Sequence, residues 1–412
     1  MPSINCVSYP PDDLPNLLYV GDVPVECSYH GSALLYRLLQ NYPTEKLRIL
    51  ESGPHGSLAE RRIIRAIYGR LQFGMMRLLN TRLSRWSSSC LVCSAGSHWA
   101  RVPRLITSFH PEAVFSVAHG FGWLTAARYA REEGLPFHLI AHDHWPTLAN
   151  VLRPMKLRLN DVFGGAYQRA CSRLCVSPFM RDFYRDRYKA DGEVLYPSRA
   201  ADCPAFGEPP ERILNPASGM TVAFAGTINS GGYSRLLRAL AEQLEQRSGT
   251  LRLFGPHAGE SLAMCGLNKK NIVAEGLVPS NKLVQRLRQE ADVLFVPMSF
   301  AGVGEEENMK LSFPSKLTDY TATGVPLLIC GPPHCSAVRW AQEYYPVAEV
   351  VTSEESEALA RALDRLASVE HRVMLSNRAM EIGRKLFSHA NGERIFFGAL
   401  RNYRGREARA GE

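Results

Sequence analysis

Short apolar runs recur along this chain, each followed by a polar turn and then by a stretch whose apolar residues stand three and four apart. In the first half, the runs at 16–20, 47–50, 113–117 and 137–141 predict strands, and periodic stretches predict helices near 32–40, 61–86, 123–133 and 180–188. In the second half, strands are predicted at 221–225, 251–254, 272–274, 293–296 and 327–330, with helices at 233–246, 281–290 and 313–323. From 354 to 403 the pattern is mostly helical. Strands alternating with helices predict doubly wound α/β sheets. Between the two series lies 197–218, rich in proline and the clearest linker in the chain. The length of 412 residues suits two domains of roughly 200 each.

The most informative stretch is 293–329. An apolar strand gives way to a polar, acidic loop from Ser299 to Ser312. A short helix is then predicted to open at Phe313-Pro314 and stop at Gly324, followed by a second apolar strand. Proline just inside the start and glycine just past the end is the expected punctuation. Such a helix is fed by the carboxyl end of a strand, where open parallel sheets bind ligands. Its start presents backbone N–H groups that suit a phosphate. At helical spacing Lys316, Asp319 or Tyr320, and Thr323 share one face. A cation near phosphates and a carboxylate one turn on, able to grip sugar or ribose hydroxyls, make a nucleotide-sugar site.

The segment FPSKLTDYTATGVPLLI, 313–329, resembles the donor-site signature of GT-B glycosyltransferases, especially the retaining family 4 type. The resemblance implies two Rossmann-like doubly wound domains facing across a cleft. Residues 1–200 would form the acceptor side, 201–218 the linker and 219–370 the nucleotide-sugar donor side; helices over 371–403 would return to the first domain, leaving a tail at 404–412. In the family a carboxylate five residues before the glycine lies on the nucleotide ribose. Here that position is Asp319, where glutamate is usual. The family's first carboxylate stands eight residues earlier, a position held here by Leu311, and Glu305, Glu306 and Glu307 are out of register with it. The resemblance assigns donor contacts to Phe313, Pro314, Ser315, Lys316 and Asp319.

Other turns fit the same reading. Gly226-Thr227-Ile228-Asn229-Ser230-Gly231-Gly232 joins a strand to a helix, and its glycines let backbone N–H groups approach a diphosphate, with Gly226, Thr227, Asn229 and Gly231 as candidates. Glycine-rich turns of this kind are common in α/β folds, and its place opposite 313–316 is what raises it. Gly255 and Val278 sit at two further strand ends, where similar transferases bind base and sugar partly through backbone; two tight turns are the plain alternative. In the first half, His30 and Gly31 follow the first strand, where the family has a glycine-rich loop near donor phosphates and acceptor. His119 ends one strand and His142-Asp143-His144 ends the next. His142 matches the family's acceptor-side histidine, which contacts the transferred sugar, and His119 matches another commonly found one. A lone histidine is usually structural, but these positions all point to one rim. Zinc or manganese on the His142-Asp143-His144 cluster is the minority reading, since GT-B enzymes generally need no metal and no DxD motif is present. No cofactor is expected.

Composition is that of an ordinary globular protein, 45% hydrophobic and 21% charged, and no run approaches the roughly 18 apolar residues a membrane span needs. The N-terminus lacks a basic and apolar leader, so a signal peptide is not expected. The ten cysteines are scattered, and Cys90-x-x-Cys93 and Cys171-x-x-x-Cys175 lack a second half-site, so buried thiols and a cytoplasmic location are expected. No G-x-S-x-G elbow and no P-loop occurs. Net charge is +8, and the excess is local: nine arginines and no acid stand between Glu60 and Glu112. With Ile63, Ile67, Leu71 and Met75 interleaved, 61–86 reads equally as a basic amphipathic helix on an anionic membrane surface or as a packed helix with a solvated arginine face. Nucleic acid is not expected as a partner, because no binding motif accompanies the charge.

Together these features predict a glycosyltransferase acting with Lys316, His142 and Asp319 as its catalytic residues. It would move a sugar from a nucleotide diphosphate sugar to a saccharide or lipid-linked acceptor, with retention, in glycan or polysaccharide assembly. A nucleotide-sugar epimerase or hydrolase, or an inactive GT-B binding subunit, are the competing readings.

Overall fold

The computed structural model describes residues 13–27, 31–214, 219–228, 231–257, 259–300 and 306–401. They form two compact units: one runs to Ser198 and resumes at His389, and the other spans Arg199–Ser388.

The first unit is a parallel sheet of seven strands: β1 (Leu17–Gly21), β2 (Leu47–Glu51), β3 (Ile67–Arg70), β4 (Ala113–Val117), β5 (Phe137–Ala141), β6 (Ser172–Cys175) and β7 (Glu193–Val194). Their order is β3-β2-β1-β4-β5-β6-β7, every pair parallel. β1, β4 and β5 are buried at every position. That is why they read as near-continuous apolar runs, interrupted only by Ser116 and His138, rather than alternating ones: helices cover both faces of a parallel sheet. Tyr19 in β1 pairs with Ile49 and Phe115, and its ring packs 4.9 Å from that of Phe115. The helix His389–Arg401 belongs to this unit. Its Phe396 ring lies 5.5 Å from Phe115, and Phe397 lies 5.5 Å from Tyr42. Burying two phenylalanines is worth about 1.5–3 kcal/mol each, enough to fix that helix on this core.

The second unit has six parallel strands: β8 (Thr221–Ala225), β9 (Thr250–Phe254), β10 (Ile272–Gly276), β11 (Val293–Pro297), β12 (Leu327–Cys330) and β13 (Glu349–Val351). They run in the order β10-β9-β8-β11-β12-β13. Both sheets therefore wind outward from a first strand and then reverse to its other side. The reversals fall between β1 and β4 and between β8 and β11, leaving a crevice beyond the strand ends where ligands of such folds bind. Among the described residues no helix is long and apolar enough to cross a membrane.

The helix expected over 61–86 does not form. The segment makes a 3-10 turn at Ala59–Arg61, strand β3, a second turn at Met76–Asn80, and only then a helix, Ser84–Ser94. Arg65 and Met75 take left-handed backbone conformations that no helix tolerates, and 67–70 pairs with β2 instead. Ile63 and Leu71 go into the interior, so the supposed apolar stripe of Ile63, Ile67, Leu71 and Met75 is divided between core and surface. The acidic loop expected to Ser312 contains a helix, Glu306–Leu311, and the helix expected over 313–323 contracts to Lys316–Tyr320. It still ends where glycine was expected to end it, with Gly324 at φ +73°.

Candidate functional site

In the second unit the site grows from the ends of β8, β9 and β11. Gly226 follows β8 and donates its N–H to Phe254 O at 2.9 Å; Gly255 follows β9 and donates to Gly276 O at 2.9 Å. These backbones lie so close that a Cβ on Gly255 would stand 2.5 Å from Gly226 O, which only glycine permits. Thr227 is half-buried beside them, and Gly231 begins the helix Gly231–Glu245. Gly232 is buried against Ser299, just past β11, so this helix starts at the reversal of the sheet. Asn229 lies outside the described residues.

Lys316 is the charged centre of this region. Its Nζ lies 4.1 Å from the centroid of the Phe224 ring and 5.4 Å from that of Tyr233. A Cβ on Gly226 would stand 3.5 Å from it. Among the described residues no carboxylate or hydrogen-bond acceptor faces this ammonium, and desolvation by the surrounding protein pushes it down to about 7. Two aromatic faces offer some cation–π compensation, on the order of 0.5–2 kcal/mol each.

The helix Lys316–Tyr320 is held in place by its tyrosine. The Tyr320 hydroxyl accepts from Ala225 N at 2.6 Å and lies 3.3 Å from Ala225 O, to which it donates. Ala225 is the residue before Gly226, so this pair ties the lysine helix to the end of β8. From the other direction Arg199 donates to Thr318 O at 2.9 Å and Thr321 Oγ1 at 3.0 Å. Burial lowers the Arg199 guanidinium, and the nearby Asp319 carboxylate acts against that shift. Asp319 is half-buried, three residues beyond Lys316.

The other expected donor residues divide by role. Phe313 is buried against Trp340 and Phe387, at ring distances of 5.9 and 5.6 Å, so its side chain is core. Pro314 is half-buried and Ser315 exposed. Their carbonyls accept from Leu317 and Thr318 N–H at 3.1 Å, so the turn uses those two amides itself. A five-residue helix has little macrodipole, and the positive charge here comes from Lys316 rather than from the helix start. Leu311 is buried. Val278 is half-buried in the loop after β10, two residues past Gly276. The His257 ring, unforeseen from sequence, packs beside Gly255, and burial lowers its pKa.

In the first unit a polar group gathers where β1, β4 and β5 end. Asp22, directly after β1, accepts from Phe121 N at 2.6 Å, Gly122 N at 3.0 Å and Ser52 Oγ at 2.5 Å. It thereby caps the helix Gly122–Glu132 from another strand. Burial raises its pKa, opposed by these hydrogen bonds and by His119. A carboxylate immediately after a fully apolar strand was the available sequence signal for this residue. His119 is exposed, its ring 4.5 Å from that of Trp145. The His142 Nε2 is shielded from solvent without a hydrogen-bond partner among the described residues, and desolvation pushes the imidazole down to about 4. The Asp143 carbonyl accepts from Trp145 N, while His144 is a packed residue whose Nδ1 meets Tyr184 Oη at 3.0 Å. Among the described residues no group of three potential ligands is arranged to hold a metal. Gly31 opens the helix Gly31–Leu39, and His30 lies outside the described residues.

No family model matches the sequence, and no curated protein matches it. Solved structures do. HepE from Anabaena, determined in complex with UDP and glucose, superposes with a TM-score of 0.64 over 94% of this chain and 99% of its own, at 13% identity. Sucrose-phosphate synthase from Thermosynechococcus elongatus superposes with a TM-score of 0.64 over 96% of this chain and 98% of its own, at 13% identity. Trehalose-6-phosphate synthase, studied for glycosyl transfer with retention, gives 0.61 over 94% and 99%, at 12% identity. At such identities the likeness is one of fold. With its two parallel sheets in matching order and near-complete coverage of these structures, the chain has the two-domain α/β fold called GT-B.

Proposed function

We propose that the protein is a retaining glycosyltransferase that moves a sugar from a nucleotide diphosphate sugar to a saccharide or lipid-linked acceptor, in glycan or polysaccharide assembly. The observation that carries this reading is Lys316: an ammonium with no anionic partner among the described residues, held over the glycine turn at a sheet reversal. A diphosphate supplies the missing charge. Negative charge grows on that diphosphate as the glycosidic bond breaks, so a cation already in place lowers the barrier. Backbone N–H groups of the 226–231 loop cradle the phosphates, Asp319 takes the ribose hydroxyls, and the turns at Gly255 and Val278 receive the base. In this reading the 199–388 unit binds the donor and the other unit the acceptor. His142, uncharged at neutral pH, serves as a hydrogen-bonding group toward the transferred sugar, with His119, Asp143, His30 and Gly31 toward the acceptor. HepE was solved with UDP-glucose, which makes uridine nucleotides the first donors to test.

Buried Leu311 favours a second reading, a catalytically inactive GT-B binding subunit, because no carboxylate reaches the sugar from that position. Calorimetric titration with UDP, GDP and ADP, followed by product analysis with a panel of nucleotide sugars and acceptors, separates the two. Binding and transfer support the enzyme, sugar released or epimerised without acceptor supports a hydrolase or epimerase, and no nucleotide binding at all overturns the enzyme and favours the inactive subunit.

A further inference from the structure

We propose that one edge of the first unit is a docking surface for an anionic lipid bilayer. Two segments far apart in sequence build it. The helix Ser84–Ser94 lies beside the start of the helix Arg153–Arg169: Asn150 Nδ2 donates to Ser84 Oγ at 3.0 Å, Leu152 N donates to Ser89 Oγ at 2.9 Å, and Cys93 Sγ meets Met155 Sδ at 3.8 Å. At these two helix starts Leu83, Trp86, Leu152 and Leu157 remain 54, 52, 41 and 73% exposed. None of these four side chains belongs to the buried core, and large apolar groups gathered at one edge mark an interaction site. This surface replaces the expected 61–86 helix, whose Ile63 and Leu71 are spent in the interior.

The same edge is strongly basic. Arg82 and Arg85 flank Leu83, Arg153 and Arg158 bracket Leu157, and all four are exposed. None of these arginines has a carboxylate partner among the described residues. No acid occurs from Arg61 to Pro111 or from His144 to Asn160; the first on the second helix is Asp161. Lipid phosphates answer the guanidinium groups while the headgroup–acyl boundary takes the indole and leucine side chains, the division that basic amphipathic surfaces exploit. Nucleic acid satisfies the charges but leaves the exposed leucines in water, and a surface with four arginines and so little acid has few complementary charges to offer a second copy of itself.

Sedimentation of the full chain with vesicles of phosphatidylglycerol and phosphatidylcholine, against phosphatidylcholine alone, tests this. The expected result is partition onto the anionic vesicles at low ionic strength, weakening as salt rises. R82Q/R85Q/R153Q/R158Q together should weaken partition by roughly seven-hundredfold. W86S with L157S should also weaken it, and R235Q with M264S on the other unit should change nothing. Brominated acyl chains should quench fluorescence of the wild type and not of W86F, a substitution small enough to keep the fold. Absence of binding at low salt, or binding and quenching unchanged in these variants, overturns the proposal. So does preference for duplex DNA over vesicles, or self-association abolished by W86S and L157S. Turnover of a soluble acceptor is expected to be unaffected, so docking and the proposed transfer fail separately.

Discussion

Lys316 and Phe224 stand together, ammonium to ring centroid, at 4.1 Å, one on a five-residue helix and the other on the penultimate position of β8. The contact puts a desolvated cation next to Gly226 and leaves its charge unanswered by any carboxylate among the described residues. Protein interiors tolerate such a charge poorly, and the cost is recovered when an anion arrives.

Replacing the lysine therefore separates stability from turnover. Lys316→Met is expected to melt at or above the wild-type temperature, because an unpaired, largely desolvated amine is exchanged for an apolar chain of similar length. Turnover with the true donor should fall by about 2.7–4 kcal/mol of barrier, roughly a hundredfold to a thousandfold. Thermal denaturation and steady-state kinetics on the same preparation check both halves. A variant that turns over normally removes Lys316 from the mechanism.

The lowered pKa also links donor binding to protons. In the free protein Lys316 titrates at about 7 instead of 10.5, and a bound diphosphate favours the charged form and raises that value. Affinity for UDP-glucose, whose diphosphate does not titrate in this range, should be greatest below pH 7 and decline as pH rises above it. Near pH 8 binding should take up a proton, read as a dependence of calorimetric heat on the ionisation enthalpy of the buffer. Lys316→Met should show no uptake. The free protein itself should gain stability between pH 7 and 10.5, because there the unfolded chain binds the proton that the folded one has shed.

Tyr320→Phe removes the hydroxyl that accepts from Ala225 N. The amide left behind is buried at the end of β8, and such an orphan costs about 1–3 kcal/mol. Urea denaturation should show that loss. Because the same hydroxyl fixes the lysine helix against the Gly226 turn, KM for the donor is expected to rise as well.

Acid should weaken the first unit through its histidines. His138, whose Nδ1 meets Ser172 Oγ at 2.7 Å, and His142 are both pushed down to about 4 by desolvation. In the unfolded chain they protonate near 6.5, so between 6.5 and 4 the unfolded state holds more protons and stability falls as pH falls. His138→Asn and His142→Gln should each make the fall in stability over this window shallower, measured by urea titration at several pH values.

Most strands of the two sheets were legible as local apolar runs: β4, β5, β8 and β12 occupy the expected residues, and β1, β2, β9, β10 and β11 differ by a residue or two at an end. A strand buried on both faces carries its signature in its own few residues, and neighbouring sequence adds little. β3, β6, β7 and β13 were missed because they are short and half-buried or at the sheet margins, where pairing with a neighbour compensates for a weak pattern. The 61–86 stretch was misread for the opposite reason: its apolar spacing is helical, but left-handed residues at Arg65 and Met75 and the pairing with β2 override it.

The order of apolar and polar residues determined two parallel sheets, a glycine turn after β8 and a lysine on a short helix before Gly324, because strand burial, turns and helix stops are local matters of side-chain type and backbone freedom. Tertiary structure alone decided what surrounds that lysine. Phe224, Tyr233 and the Tyr320–Ala225 bond join residues up to 95 positions apart, and nothing in either segment encodes the partner. It also decided that the return to the first unit begins at His389 rather than at 371, that Phe313 packs in a core, and that helices starting near 84 and 153 lie side by side. Those outcomes depend on which surfaces remain apolar once the sheets have formed, a property of the folded whole and not of any window of sequence.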